Sequence, residues 1–307
     1  MWGVCKMPEI IKIQHMTKDY GKGRGIFDFN ISINEGEAYG LVGTNGSGKT
    51  TTMRHLMGFL APDRGSCEIG GINCRQHPDQ IAKRVGYVPG QIDFPDVGSG
   101  TNFLKIQAQY LGIKDMSYTE KLIDLFKIDT SAPLKRMSKG MKQKMALVAA
   151  FMAKPDILLL DEPSTGLDPV MRDALIGLIL EQKKRGATVF MSSHIFKELE
   201  DTCDKVTFIH NGKVINTIGR DLYDENMPRL YRVGFADEEQ YHEFKSHTGF
   251  QIESSNDKYK HLMAVVPMNE MNSFVRELAD YDMRYMRYVP YSLEMYYKKE
   301  IENGGNV

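Results

Sequence analysis

Apolar and polar positions alternate along the first part of the chain. Glu9 to His15 alternates around Ile11 and Ile13 and predicts a strand; Ile26 to Ile33 predicts a second, half-buried one. Thr17 to Gly23 reads as the turn between them, and Glu37 to Val42 as a short buried strand. Thr51 to Leu60 then reads as a helix, and the turn Ala61-Pro62-Asp63-Arg64-Gly65 separates it from short strands at Ser66–Ile69 and Arg84–Val88. From Ile92 to Lys135 the period lengthens to that of helices, at Thr101–Leu111 and Ser117–Phe126. Ser138 precedes a further helix that runs to about Ala153. The continuous apolar run Ile157-Leu158-Leu159-Leu160 predicts a central strand buried on both faces. Val170 to Arg185 is a predicted helix and Ala187 to Met191 another buried strand. Lys205–His210 and Lys213–Ile218 flank Asn211-Gly212, the strongest short hairpin signal.

Around Asp221 to Arg229 the composition turns polar, which predicts a boundary between a first domain, residues 1–222, and a second, residues 223–307. Within the first, residues 92–153 form a predicted helical subdomain. The second alternates strand, helix, strand, strand, helix, strand, at Leu230–Phe235, Glu238–Ser246, Phe250–Glu253, His261–Val266, Asn269–Asp280 and Met283–Val289. That order predicts a small α+β ferredoxin-like unit, with a last helix from Ser292 to about Ile301.

Bulk properties narrow the setting. In this 307-residue chain a hydrophobic fraction of 42% and a charged fraction of 26% fit a soluble globular protein. The formal net charge of -1 supplies no global basic field, so no nucleic-acid partner is expected. Four cysteines without a C-x-x-C pair argue for reduced thiols rather than a zinc or disulfide framework. No apolar run has the length to span a bilayer, and Met1 to Lys6 lacks a signal-peptide core. Any membrane process would be served from the water side.

The chemistry concentrates in three places. Gly43-Thr44-Asn45-Gly46-Ser47-Gly48-Lys49-Thr50 fits G-x-x-x-x-G-K-[ST], between a predicted strand and a predicted helix. Glycines let the backbone wrap a phosphate chain, and the N–H groups at a helix start face the anion. Lys49 can reach terminal phosphates and Thr50 can ligate Mg²⁺. A glycine-rich turn that happens to carry a lysine is the bland alternative, and the strand and helix around it speak against that. Second, Leu158-Leu159-Leu160-Asp161-Glu162 ends a buried strand in two carboxylates: Asp161 is placed to hold Mg²⁺, Glu162 to act as general base on a water. Third, Ser138-Lys139-Gly140-Met141 opens a helix whose free N–H groups can meet an anion, although by itself it reads as a plain helix cap.

With these motifs in order, residues 9 to 220 resemble the nucleotide-binding subunits of ATP-binding cassette (ABC) transporters. The resemblance implies an α/β P-loop NTPase cassette, a mixed sheet with an antiparallel β subdomain and a helical subdomain, joined to the small C-terminal domain. It implies an ATPase with ATP and Mg²⁺ as its nucleotide and metal. Tyr20 falls where an aromatic ring stacks on adenine; Gly43 to Thr51 binds the phosphates, with Lys49 also serving hydrolysis. Asp161 falls on the metal-holding aspartate, Glu162 on the catalytic carboxylate, and His194 on the switch histidine that senses the γ-phosphate. Ser164 to Asp168 resembles the segment that follows the catalytic carboxylate. Ser138, Lys139, Gly140 and Met141 occupy the family signature, which with Asp168 would contact ATP held by a second subunit.

Two departures stand out. Lys139 and Met141 replace a glycine and a glutamine of the signature, and Val88-Pro89 is followed by Gly90 before Gln91, so the glutamine expected on Mg²⁺ is displaced by one residue. Together with the appended domain and Val289-Pro290-Tyr291-Ser292-Leu293-Glu294, they resemble the ATPase subunits of drug-, bacteriocin- and antibiotic-resistance exporters. The implied partners are a separately encoded integral-membrane permease, docked on the helical insert, and a second copy of the chain. The implied place is the inner face of the cell membrane. A soluble cassette ATPase acting on nucleic acid or the ribosome is the competing expectation, weakened by the single cassette and the missing heptads and zinc spacing.

Overall fold

The computed structural model describes residues 8–220, 229–289 and 292–304. Met1 to Lys6, the expected boundary at 222/223 and Pro290-Tyr291 lie outside them. One unit reaches to Ile218 and a second runs from Gly219 to Glu302.

In the first unit the alternating segments form an antiparallel sheet of β1 (Glu9–Asp19), β2 (Gly25–Asn34), β4 (Arg64–Ile69) and the two-residue β5 (Ile72–Asn73), in the order β2-β1-β4-β5. β1 runs further than its sequence indicates: Thr17 pairs with Arg64, Lys18 with Ile26 and Asp19 with Gly25. The register shifts between Ile13 and Met16, where His15 takes a φ of 49°, and this bulge interrupts the alternation that would otherwise mark the strand. The turn therefore falls later, at Tyr20 to Arg24, closed by the Tyr20 amide donating to the Arg24 carbonyl at 2.8 Å.

The uninterrupted apolar runs form the central six-stranded sheet. Its members are β3 (Ala38–Val42), β6 (Val85–Val88), β7 (Ile157–Asp161), β8 (Thr188–Ser193), β9 (Lys205–His210) and β10 (Lys213–Gly219), in the order β10-β9-β3-β8-β7-β6. β3 is parallel to β8 and β9, and β7 is parallel to β6 and β8. Every residue of β3, β7 and β8 is buried, as strands covered on both faces require. Helix α1 (Lys49–Leu56) follows β3; its Met53 and Leu56 join Ile13, Phe29, Leu41, Leu159 and Phe190 in one apolar cluster spanning both sheets. That packing fixes where α1 begins, and so where the glycine loop before it points. Helix α2 (Pro78–Arg84), unforeseen in the sequence, buries only Ile81. The helical subdomain contains α3 (Gly100–Leu111), α4 (Ser117–Phe126) and α5 (Lys139–Phe151). Then come α6 (Pro169–Lys184) and the short α7 (Phe196–Thr202), also unforeseen, which packs on α6.

The second unit is a sheet of β11 (Arg229–Phe235), β12 (Gln251–Asn256), β13 (His261–Val266) and β14 (Met283–Val289), in the order β12-β13-β11-β14, with every neighbour antiparallel. This is the order expected of a split βαβ unit. Helices α8 (Glu238–His247) and α9 (Met271–Leu278) contribute Tyr241, Phe244, Phe274 and Leu278 to its core; α10 (Leu293–Gly304) follows β14. Among the described residues no helix is long and apolar enough to cross a membrane.

Candidate functional site

β3 delivers the chain to the glycine loop. A Cβ on Gly43 would lie 2.3 Å from the Ile209 carbonyl oxygen, and Gly48, at a φ of 114°, has the Ile26 side chain 2.5 Å from where a Cβ would be. Only glycine fits at either position. Gly48 is also the N-cap of α1 and supplies no side-chain cap, so the first N–H groups of that helix are left for another acceptor. Lys49 is buried, and its Nζ donates to the Gly43 carbonyl at 2.7 Å and the Thr44 carbonyl at 3.3 Å. The loop opens on a cavity of about 480 Å³ lined by Asn45, Gly46, Gly48, Lys49, Thr50, Thr51, Arg54, Gly90, Gln91, Glu162, Thr165 and His194.

Glu162 lines this cavity, and Asp161 is buried just before it, where the register of β7 and β8 sets it opposite Ser192. Ser192 Oγ donates to Asp161 Oδ1 at 2.6 Å and accepts from the Glu162 amide at 3.1 Å. Glu162 stands just past the strand at a φ of 50°, a left-handed conformation uncommon for a residue with a side chain. Thus placed, Glu162 Oε1 lies 3.2 Å from Lys49 Nζ and Oε2 lies 2.5 Å from His194 Nδ1. Lysine, glutamate and histidine from three segments therefore meet at one carboxylate.

Asp161 is fully buried, yet its Oδ2 has no hydrogen-bond partner. A Cβ on Gly90 would sit 2.6 Å from that oxygen and 3.5 Å from Thr50 Oγ1, so glycine at 90 keeps open the space beside both. An orphaned carboxylate oxygen and a hydroxyl bordering the same space form a donor set suited to a hard divalent cation. Burial, and secondarily the Asp161 charge, push the neighbouring Tyr87 phenol pKa up. Gln91 lines the cavity as well.

The remaining expected residues divide. Tyr20 is exposed in the β1–β2 turn and is absent from the cavity lining. Ser138 N-caps α5, its Oγ accepting from the Met141 amide at 3.3 Å. Ser138 to Met141 likewise do not line this cavity; Lys139, with Gln91 and Gln143, borders a second one of about 360 Å³. This segment lies against the one that follows Glu162: a Cβ on Gly140 would be 2.8 Å from the Gly166 carbonyl, and Gln143 Nε2 donates to the Pro163 carbonyl at 2.7 Å. Asp168 N-caps α6, Oδ1 accepting from the Met171 amide at 2.9 Å. Sequence reasoning missed Arg54 and Ser192, and it placed Thr165 in the segment after Glu162 without assigning it to the cavity. Arg54 was discoverable four residues past Thr50 on the predicted helix, whereas the role of Ser192 depends on strand register.

Residues 26–165 match the family model described as ABC transporter. The bacitracin transport ATP-binding protein BcrA of Bacillus licheniformis is 35% identical over 218 residues, 70% of this chain and 71% of the relative. The lantibiotic transport ATP-binding protein SrtF of Streptococcus pyogenes is 33% identical over 208 residues, 67% of this chain and 89% of the relative. Among solved structures, an ATP-binding subunit of an ABC transporter superposes with a TM-score of 0.63 at 30% identity, covering 70% of this chain and 91% of that one.

Proposed function

The chain belongs to the ATP-binding subunits of ABC transporters and is an ATPase, and from that premise we propose that it powers an exporter whose membrane-spanning part is a separate protein. The observation that carries the proposal is a division within the chain. The phosphate cavity gathers Lys49, Thr50, Glu162 and His194 but not Ser138 to Met141. A helix start suited to an anion that does not line the cavity beside Lys49 suits two copies packed head to tail, each ATP held between Gly43–Thr51 of one and Ser138–Met141 with Asp168 of the other. Tyr20 would stack on the adenine.

In the proposed reaction Lys49 exchanges its contacts with Gly43, Thr44 and Glu162 for the ATP phosphates. Glu162, released from Lys49, takes the proton of a water that attacks the γ-phosphorus while the bond to the ADP oxygen breaks. His194 turns from Glu162 to the γ-phosphate. Mg²⁺, held by Thr50 and Asp161 with Gln91 beside them, would supply charge neutralisation for the phosphates. Ser192 holds the Asp161 carboxylate and the Glu162 amide, so Ser192→Ala is expected to weaken Mg²⁺-dependent hydrolysis by about 10-fold to 100-fold; steady-state turnover titrated with Mg²⁺ measures this.

Export is inferred from the relatives' bacitracin and lantibiotic transport. A docking place for the permease is supported by a cleft of about 290 Å³ beside the helical subdomain, lined by Tyr87, Ile92, Phe94, Phe103 and Tyr110. In this reading residues 1–222 form the ATP-binding domain, residues 223–307 an accessory domain, and the protein works at the inner face of the membrane. The test is fractionation of cells expressing the full chain. Wild type is expected to sediment with membranes and to be solubilised in complex with a polytopic membrane protein. Phe103→Arg is expected to stay in the supernatant while still hydrolysing ATP. Wild type recovered from the supernatant on ribosomes or nucleic acid would overturn the proposal.

A further inference from the structure

We propose that Glu198 and Arg172 are positioning residues for His194, and that their ion pair ties the His194 loop to the helix beginning at Asp168. The inference rests on the reading of His194 as the γ-phosphate contact. Glu198, on α7, is only 2% exposed, a poor place for a carboxylate without a purpose. Its Oε2 accepts from Ser193 Oγ at 2.9 Å, and Ser193 Oγ accepts from the Ile195 amide at 2.9 Å. The residues on both sides of His194 are thus clasped by one hydroxyl, and that hydroxyl is held by Glu198.

On its other side Glu198 Oε1 meets Arg172 Nε of α6 at 3.2 Å. The Arg172 amide donates to the Asp168 carbonyl at 3.0 Å in the first turn of α6. A continuous path of short contacts therefore runs from the His194 loop through Ser193, Glu198 and Arg172 to Asp168. In a head-to-tail dimer Asp168 faces the ATP held by the other subunit. The path then lets the nucleotide state of one site bear on where the histidine of the other stands. A buried carboxylate paired on one side and hydrogen-bonded on the other has few alternative arrangements, which suits it to hold a loop in one geometry.

The test is steady-state ATP hydrolysis by the full chain carrying Arg172→Met, Arg172→Lys, Glu198→Gln or His194→Ala, with thermal melting followed in parallel. Arg172→Met removes the charge from a partly exposed side chain, and Glu198→Gln keeps an acceptor for Ser193, so both variants are expected to fold. Each is expected to lower kcat about tenfold while KM for ATP stays within about twofold, and Arg172→Lys is expected to restore most of the rate. Wild-type kcat in both Arg172→Met and Glu198→Gln, with His194→Ala impaired, overturns the proposal and leaves the His194 reading intact. Rates that fall only in step with a lowered melting temperature, without rescue by lysine, also overturn it. Full turnover in His194→Ala removes the His194 reading itself and this proposal with it.

Discussion

Glu162→Gln is expected to bind ATP as the wild type does and to lose hydrolysis by about 10²-fold to 10⁴-fold, the range of a general base. The substitution is close to isosteric. Its amide oxygen can still accept from Lys49 or His194, so the left-handed backbone at 162 and the loop around it should persist. What disappears is the site that accepts the water's proton. The expected signature is therefore a split: an unaltered nucleotide dissociation constant, a single-turnover rate near zero, and ATP rather than ADP recovered from the isolated protein. A variant that loses nucleotide and turnover together would instead place Glu162 in binding, and one with unchanged turnover would place the base elsewhere.

Lys49→Ala is expected to act one step earlier. Lys49 Nζ is buried at the floor of the loop, held by two carbonyls, and paired with Glu162. In the proposed site the phosphate oxygens replace these contacts and offer the ammonium stronger, charge-assisted hydrogen bonds. Removing the ammonium deletes a charged hydrogen bond to the nucleotide, about 3 kcal/mol or roughly a hundredfold in affinity. It also leaves Glu162 facing the incoming phosphates without its cation, which adds to the loss. Equilibrium binding of a fluorescent ATP analogue measures this; affinity within twofold of wild type would remove Lys49 from the phosphate site.

Much of this site is legible in the sequence because its constraints are local. Gly43 and Gly48 stand where neighbours leave no room for a Cβ, and that demand is written directly in residue spacing. Asp161 and Glu162 are marked by the apolar run they terminate. Other parts depend on partners distant in the chain. Ser192 matters because β7 and β8 align it with Asp161, a register no local pattern encodes. Gly90 appears in the sequence only as a displaced glutamine; in three dimensions it is the gap beside the orphaned Asp161 oxygen.

The fold shows the same division. The buried strands and long helices were readable from apolar runs and helical period, while α2 and α7 were hidden by their brevity. Their seven residues each give an amphipathic period little room to show. The sequence pattern of strand β1 stops at the bulge around His15, where the backbone turns left-handed and the alternation slips. In the second unit the alternation of strands and helices was enough to suggest the antiparallel order, because a split βαβ arrangement leaves few ways to pair four strands.

In the proposed head-to-tail arrangement one chain carries only half of the working ATP site. Sedimentation velocity of Glu162→Gln with and without ATP tests it most directly, with Ser138→Arg added to the same variant as the comparison. Glu162→Gln is expected to be a monomer without nucleotide and a dimer with it. The double variant should stay monomeric with ATP bound, because an arginine at the α5 N-cap blocks the surface that would receive the second subunit's phosphates. A Glu162→Gln chain that remains monomeric at saturating ATP, or a double variant that dimerises equally well, would overturn the head-to-tail arrangement.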